Sequence, residues 1–227
     1  MLRRAFASYV APCGAPAINR LEQLLERKFA LARRLVDAAP VELDPAVGEL
    51  LTTVLATRTH RAAIRAATPP DRFRAAAQRI ARGSFGPWDI PRLAGELGGA
   101  PAEVLWDLAA EIAHAVAPDR IGLLTRWVWN PVRGHGLLGE LVRPPPDGLE
   151  GAQAALGEAR FELAALGFPS ATFASVDILL ALAYAPRLAD ATQRSFQGGG
   201  IESLLPGAYG LAAMILGVRR WEARADR

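Results

Sequence analysis

Cysteine is almost absent from these 227 residues: Cys13 is the only one. The chain therefore forms no internal disulfide and assembles no zinc ribbon or Cys-x-x-Cys redox site. Lysine is as scarce, with Lys28 alone, so arginine carries nearly all the positive charge. Histidine occurs only at positions 60, 114 and 135, and a metal site would need carboxylates from distant segments; neither metal nor cofactor is expected. Charge-free stretches are short too. The longest apolar run, residues 173–185, still contains Asp177 and falls below the ~18 residues that a bilayer-spanning helix needs, so it predicts a buried core helix and no membrane span. Period-2 alternation, Walker-type and dinucleotide glycine loops, a nucleophile elbow and a fixed-period repeat are all missing as well.

What is present is helical periodicity from end to end. Ile18, Leu21, Leu25, Phe29, Ala32 and Val36 recur at steps of three and four, one apolar stripe on a helix that ends before Pro40. Asp44-Pro45 reads as an N-cap followed by proline at the first helical position, predicting a second helix to about residue 67. Further helices are predicted near residues 72–82, 92–97, 101–117, 119–130, 149–166, from 172, and 208–223. The fold expectation is all-α: a multi-helix orthogonal bundle of about nine to eleven helices. Three prolines at 144–146 favour stiff extended backbone and suggest a lobe of residues 1–143 and another of 147–227, with a single compact domain as the alternative.

The net charge of +3 conceals an asymmetry. Residues 1–82 hold 14 basic and 7 acidic residues, whereas residues 83–227 hold 12 and 16. Within residues 57–82 stand seven arginines against Asp71 alone. Arg58, Arg61 and Arg65 fall at helical spacing, as do Arg72 and Arg79 on the next predicted helix. Guanidinium groups arrayed this way suit phosphate oxygens, because each donates paired charge-assisted hydrogen bonds and displaces condensed counterions. A second basic segment, residues 126–136, adds Arg126, Trp127, Trp129, Arg133 and His135, whose aromatic faces suit base stacking. Nucleic acid, DNA or RNA, is therefore the expected partner. The first 21 residues contain three arginines and no acid, so a mitochondrial matrix destination stands as the alternative to a cytoplasmic one.

Other features point elsewhere. Asp107, Glu111 and His114 share one helical face, and Asp177 lies in the most apolar segment; together Asp177, Glu111 and His114 are the candidate acid and base groups of an all-α enzyme. On the other reading, the three form an ion-paired or solvated helix face and Asp177 complements a helix N-terminus. Residues 195–203, with three consecutive glycines, form a loop able to present amides to phosphate. Residues 205–213 resemble in part the hairpin of helix-hairpin-helix DNA-binding proteins, with the second glycine one position late and without the catalytic aspartate of that family's glycosylases. A third class of function is a scaffold or interaction subunit whose Ala- and Leu-rich helices build a homo-oligomer or dock into a complex.

Overall fold

A computed structural model describes residues 2–168, 170–195 and 206–222. It is an all-α, multi-helix bundle, with no strand among the described residues and a single bridge between Asn130 and His135. The helices are α1 (Leu2–Ala5), α2 (Gly14–Asp37), α3 (Pro40–Thr52), α4 (Arg61–Ala67), α5 (Pro70–Ala81), α6 (Ile90–Glu96), α7 (Ala102–Val116), α8 (Leu137–Leu141), α9 (Gly148–Ala165), α10 (Ala174–Ser195), α11 (Ala208–Ile215) and α12 (Arg219–Glu222). None of them is long and apolar enough to cross a membrane.

The stripe of α2 determines the centre of the bundle. Leu21, Leu25, Phe29, Ala32 and Leu35 are buried, and α2 packs against α3, α5, α7 and α10. Helix α7 is buried from Asp107 to Val116, on every face. A helix enclosed all round must satisfy its polar side chains inside the protein, and α7 carries three: Asp107, Glu111 and His114. Helices from both sides of Pro144–Pro146 contribute to one hydrophobic cluster, with α10 lying against α2 and α11 against α10.

Three predicted elements differ. The second helix divides: Pro40 takes its first turn, Asp44 and Pro45 lie inside α3, and a 3-10 turn at Leu55–Thr57 separates α3 from α4. The last helix divides at Gly217 into α11 and α12. Residues 119–130 form no α-helix. They run through the core instead, burying Ile121, Leu123, Leu124, Val128 and Trp129. Several backbone groups of this segment are met by side chains. Trp106 Nε1 donates to the Leu124 carbonyl (3.1 Å), Gln153 receives the Gly122 amide (2.9 Å), and Asp107 receives the Arg126 amide (2.8 Å). Buried backbone polar groups need partners, and here α7 and α9 supply those that a helix would have provided.

Candidate functional site

Two groupings of charged side chains stand out. The first lies in the core. Lys28 of α2, 2% exposed, donates to Glu111 Oε2 at 2.7 Å and to the Leu216 carbonyl at 2.8 Å. One helical turn further along α7, His114 places Nε2 at 2.8 Å from Asp177 Oδ2 and Nδ1 at 2.7 Å from the Ile121 carbonyl. Both ring nitrogens thus face acceptors, and the ring donates on both sides only as imidazolium. Burial works to lower the His114 pKa, but the Asp177 carboxylate, its hydrogen bond, the Ile121 carbonyl and Glu111 outweigh it and hold the pKa above the ordinary value. Burial likewise pushes the Glu111 carboxyl upward, against the opposing pull of Lys28. The Phe29 ring meets the imidazole edge to face at 5.2 Å.

Asp107 completes the row on α7. Its Oδ2 accepts from Arg126 Nε (3.1 Å) and Nη2 (2.8 Å) while Oδ1 holds the Arg126 backbone. The predicted face of Asp107, Glu111 and His114 is real, but it is an ion-paired internal face rather than a solvated one. Each group is matched by a residue of another element. With His114, Glu111 and Asp177 no more than 3% exposed, no solute reaches them in this conformation. Asp177 does lie in the first turn of α10, and it also closes the pair with His114.

The second grouping is at the surface. Arg58 and Arg61, at the entry to α4, meet Arg219 and Arg220 of α12 around a cleft of about 410 Å³, whose other walls are Thr52, Leu55, Met214 and Gly217. Arg61 Nη2 donates to the Thr52 carbonyl at 3.3 Å, and its Nε is buried without an acceptor among the described residues. Partial burial and the neighbouring Arg58 lower the Arg61 pKa. Arg220 pairs with Glu49 at 3.0 Å and lies 5.0 Å from the Trp221 ring centre. Among the described residues, no carboxylate lies at ion-pairing distance from Arg58, Arg61 or Arg219.

Gly217 lets this cleft exist. Its φ of +73° is the left-handed conformation, and a Cβ there would stand 1.5 Å from the Thr53 carbonyl oxygen. Only glycine brings the turn between α11 and α12 against the end of α3. Lys28 secures the same turn from inside, through the Leu216 carbonyl. The buried network and the arginine cleft therefore share one structural element.

No family model matches the chain, and the searches of curated proteins and of solved structures found no match.

The remaining predicted phosphate contacts are dispersed. Arg65 pairs with Asp44, and Arg79 holds Glu96 with two hydrogen bonds, which raises the arginine's pKa and lowers the glutamate's. Arg72 donates to the Glu96 carbonyl. Trp129 is 1% exposed, and Trp127 lies half-buried against Tyr184, ring centres 5.2 Å apart. Arg133 and His135 are exposed in the turn capped by Asn130 Oδ1 and are not among the residues that line the cleft. Gly210, the late glycine of the hairpin resemblance, is inside α11. The triple-glycine loop at 198–200 lies outside the described residues. Arg219 and Arg220 were missed by sequence reasoning; their only signal was an adjacent arginine pair just after a glycine.

Proposed function

We propose that the protein binds nucleic acid, with Arg58, Arg61, Arg219 and Arg220 as the phosphate-contacting centre. The observation that carries this reading is the convergence of guanidinium groups from segments some 160 positions apart, Arg58 to Arg219, on one cleft. Like charges repel, so a protein gathers them at a cost that an anionic ligand offsets. Arginine is the side chain suited to this task, because its planar fork meets phosphate oxygens with two parallel hydrogen bonds. Arg65, Arg79 and Arg126 already hold carboxylates of this chain, as Arg220 holds Glu49, whereas Arg58, Arg61 and Arg219 pair with none among the described residues.

Fluorescence anisotropy of nuclease-treated protein against single- and double-stranded DNA and RNA, at two salt concentrations, tests it. Binding is expected to weaken steeply with salt, with a logarithmic slope of about −0.7 to −0.9 per phosphate engaged. Arg58→Ala with Arg61→Ala weakens binding of all sequences alike and shallows that slope. Absence of binding at low salt refutes the reading; binding untouched by the double variant removes it from the cleft.

A further inference from the structure

We infer that the cleft holds a phosphate monoester, the terminal phosphate of a strand or of a free nucleotide, rather than the diester linkages of a strand's interior; the strand-end form rests on the nucleic-acid reading above. Charge is the first argument. Four guanidinium groups line the cleft; Glu49 pairs with Arg220, and among the described residues no carboxylate pairs with Arg58, Arg61 or Arg219. A diester brings a single negative charge and two free oxygens, whereas a monoester near neutral pH brings about −1.5 to −2 and three strong acceptor oxygens. Arg58, Arg61 and Arg219 are enough donors for those three oxygens.

Shape is the second argument. The cleft is bounded by the end of α3 at Thr52 and by the turn at Gly217, and its volume of about 410 Å³ falls within the range of small-ligand sites. Its walls are not only charged. Leu55, 37% exposed, and Met214 supply apolar surface beside the guanidinium groups. A ligand with a charged end and a flat, weakly polar body, as a nucleotide is, uses both surfaces.

The test compares one labelled oligonucleotide sequence carrying a 5′-phosphate, a 3′-phosphate or hydroxyls at both ends, by anisotropy with the full chain. Adenosine monophosphate and inorganic phosphate are titrated separately by calorimetry. The expected result is that one of the phosphorylated strands binds about tenfold or more tightly than the hydroxyl strand, an advantage of the size of one charged hydrogen bond. That advantage disappears in Arg58→Ala with Arg219→Ala, two exposed positions, while the circular dichroism spectrum stays the same. Equal, salt-sensitive binding of all three strands overturns the monoester inference and leaves the nucleic-acid reading standing. Binding of the mononucleotide without any strand does the reverse, keeping the monoester and rejecting nucleic acid. Silence from every probe refutes both.

Discussion

The two charged regions use the same chemistry to opposite ends. In the core, each charge on α7 and α2 has a partner of opposite sign: Lys28 with Glu111, His114 with Asp177, Asp107 with Arg126. In the cleft, like charges from two segments stand together, and three of the four arginines have no carboxylate partner among the described residues. Buried charges are tolerated only when matched, because desolvation costs several kcal/mol per ion. Solvent-facing charges can remain unmatched, and a set left so is available to a ligand. The core network is thus concerned with holding helices in register, and the cleft with what lies outside.

The largest expected effect breaks the core side of this comparison. Glu111→Ala leaves Lys28 charged and enclosed, and stability should fall by about 3–5 kcal/mol, read from denaturant unfolding. Lys28→Met with Glu111→Leu removes both charges and should recover most of the loss; a mild loss in the single variant would mean that water reaches the pair. Arg58→Ala with Arg219→Ala should leave stability within about 0.5 kcal/mol. Its effect is on binding, where each charged contact is worth about 1.5–3 kcal/mol, so affinity for nucleic acid falls roughly a hundredfold or more. An unfolding midpoint that drops with the affinity would make these arginines structural instead.

Gly217→Ala tests the element that the two regions share. The left-handed conformation alone costs a non-glycine residue about 1–3 kcal/mol, and the Thr53 carbonyl forces the turn to move. Loss of stability should therefore come with weaker binding, since Arg219 and Arg220 follow directly. Binding retained at full affinity would separate the turn from the cleft.

The sequence carried the helices whose signal is local. The stripe of α2 and the proline and glycine stops gave the extents of α2, α7 and α9 to within a few residues. It did not carry the buried segment at 119–130, because an apolar run of that length looks the same as a helix when its backbone partners, Gln153 on α9 and Trp106 and Asp107 on α7, come from elsewhere. The candidate residues divide the same way. That Asp107, Glu111 and His114 share a face was legible from spacing alone. That their partners are Arg126, Lys28 and Asp177 was not, since those choices are made by packing. Arg58 and Arg61 were visible as a cluster, but only the turn at Gly217 brings Arg219 and Arg220 to them.

A smaller effect comes from pH. The His114 pKa is raised above its ordinary 6.5 in the folded chain, so the contribution of the His114–Asp177 pair is fully present below that value. It is lost as pH rises through the higher folded pKa, when the ring gives up the proton that it shares with Asp177. Urea midpoints taken from about pH 5 to pH 9 should decline on the alkaline side, and His114→Gln should flatten the decline whatever its effect on overall stability. A wild-type profile without that decline would place the shared proton elsewhere.

The smallest expected effect is at Arg65, one turn from Arg61 on α4. Arg65 pairs with Asp44 at a site where both side chains are about half exposed, 46% and 52%. An ion pair in such a setting is worth about 0.2–1 kcal/mol, so Arg65→Ala should barely move the unfolding midpoint. In binding, the pair already neutralises the guanidinium, and Arg65→Ala should cost much less affinity than Arg61→Ala even though both remove one formal charge. Equal losses from the two would show that the ligand senses the summed charge of α4 at a distance. Unequal losses, with Arg61 dominant, would locate recognition at the cleft, where the guanidinium has no carboxylate to hold among the described residues.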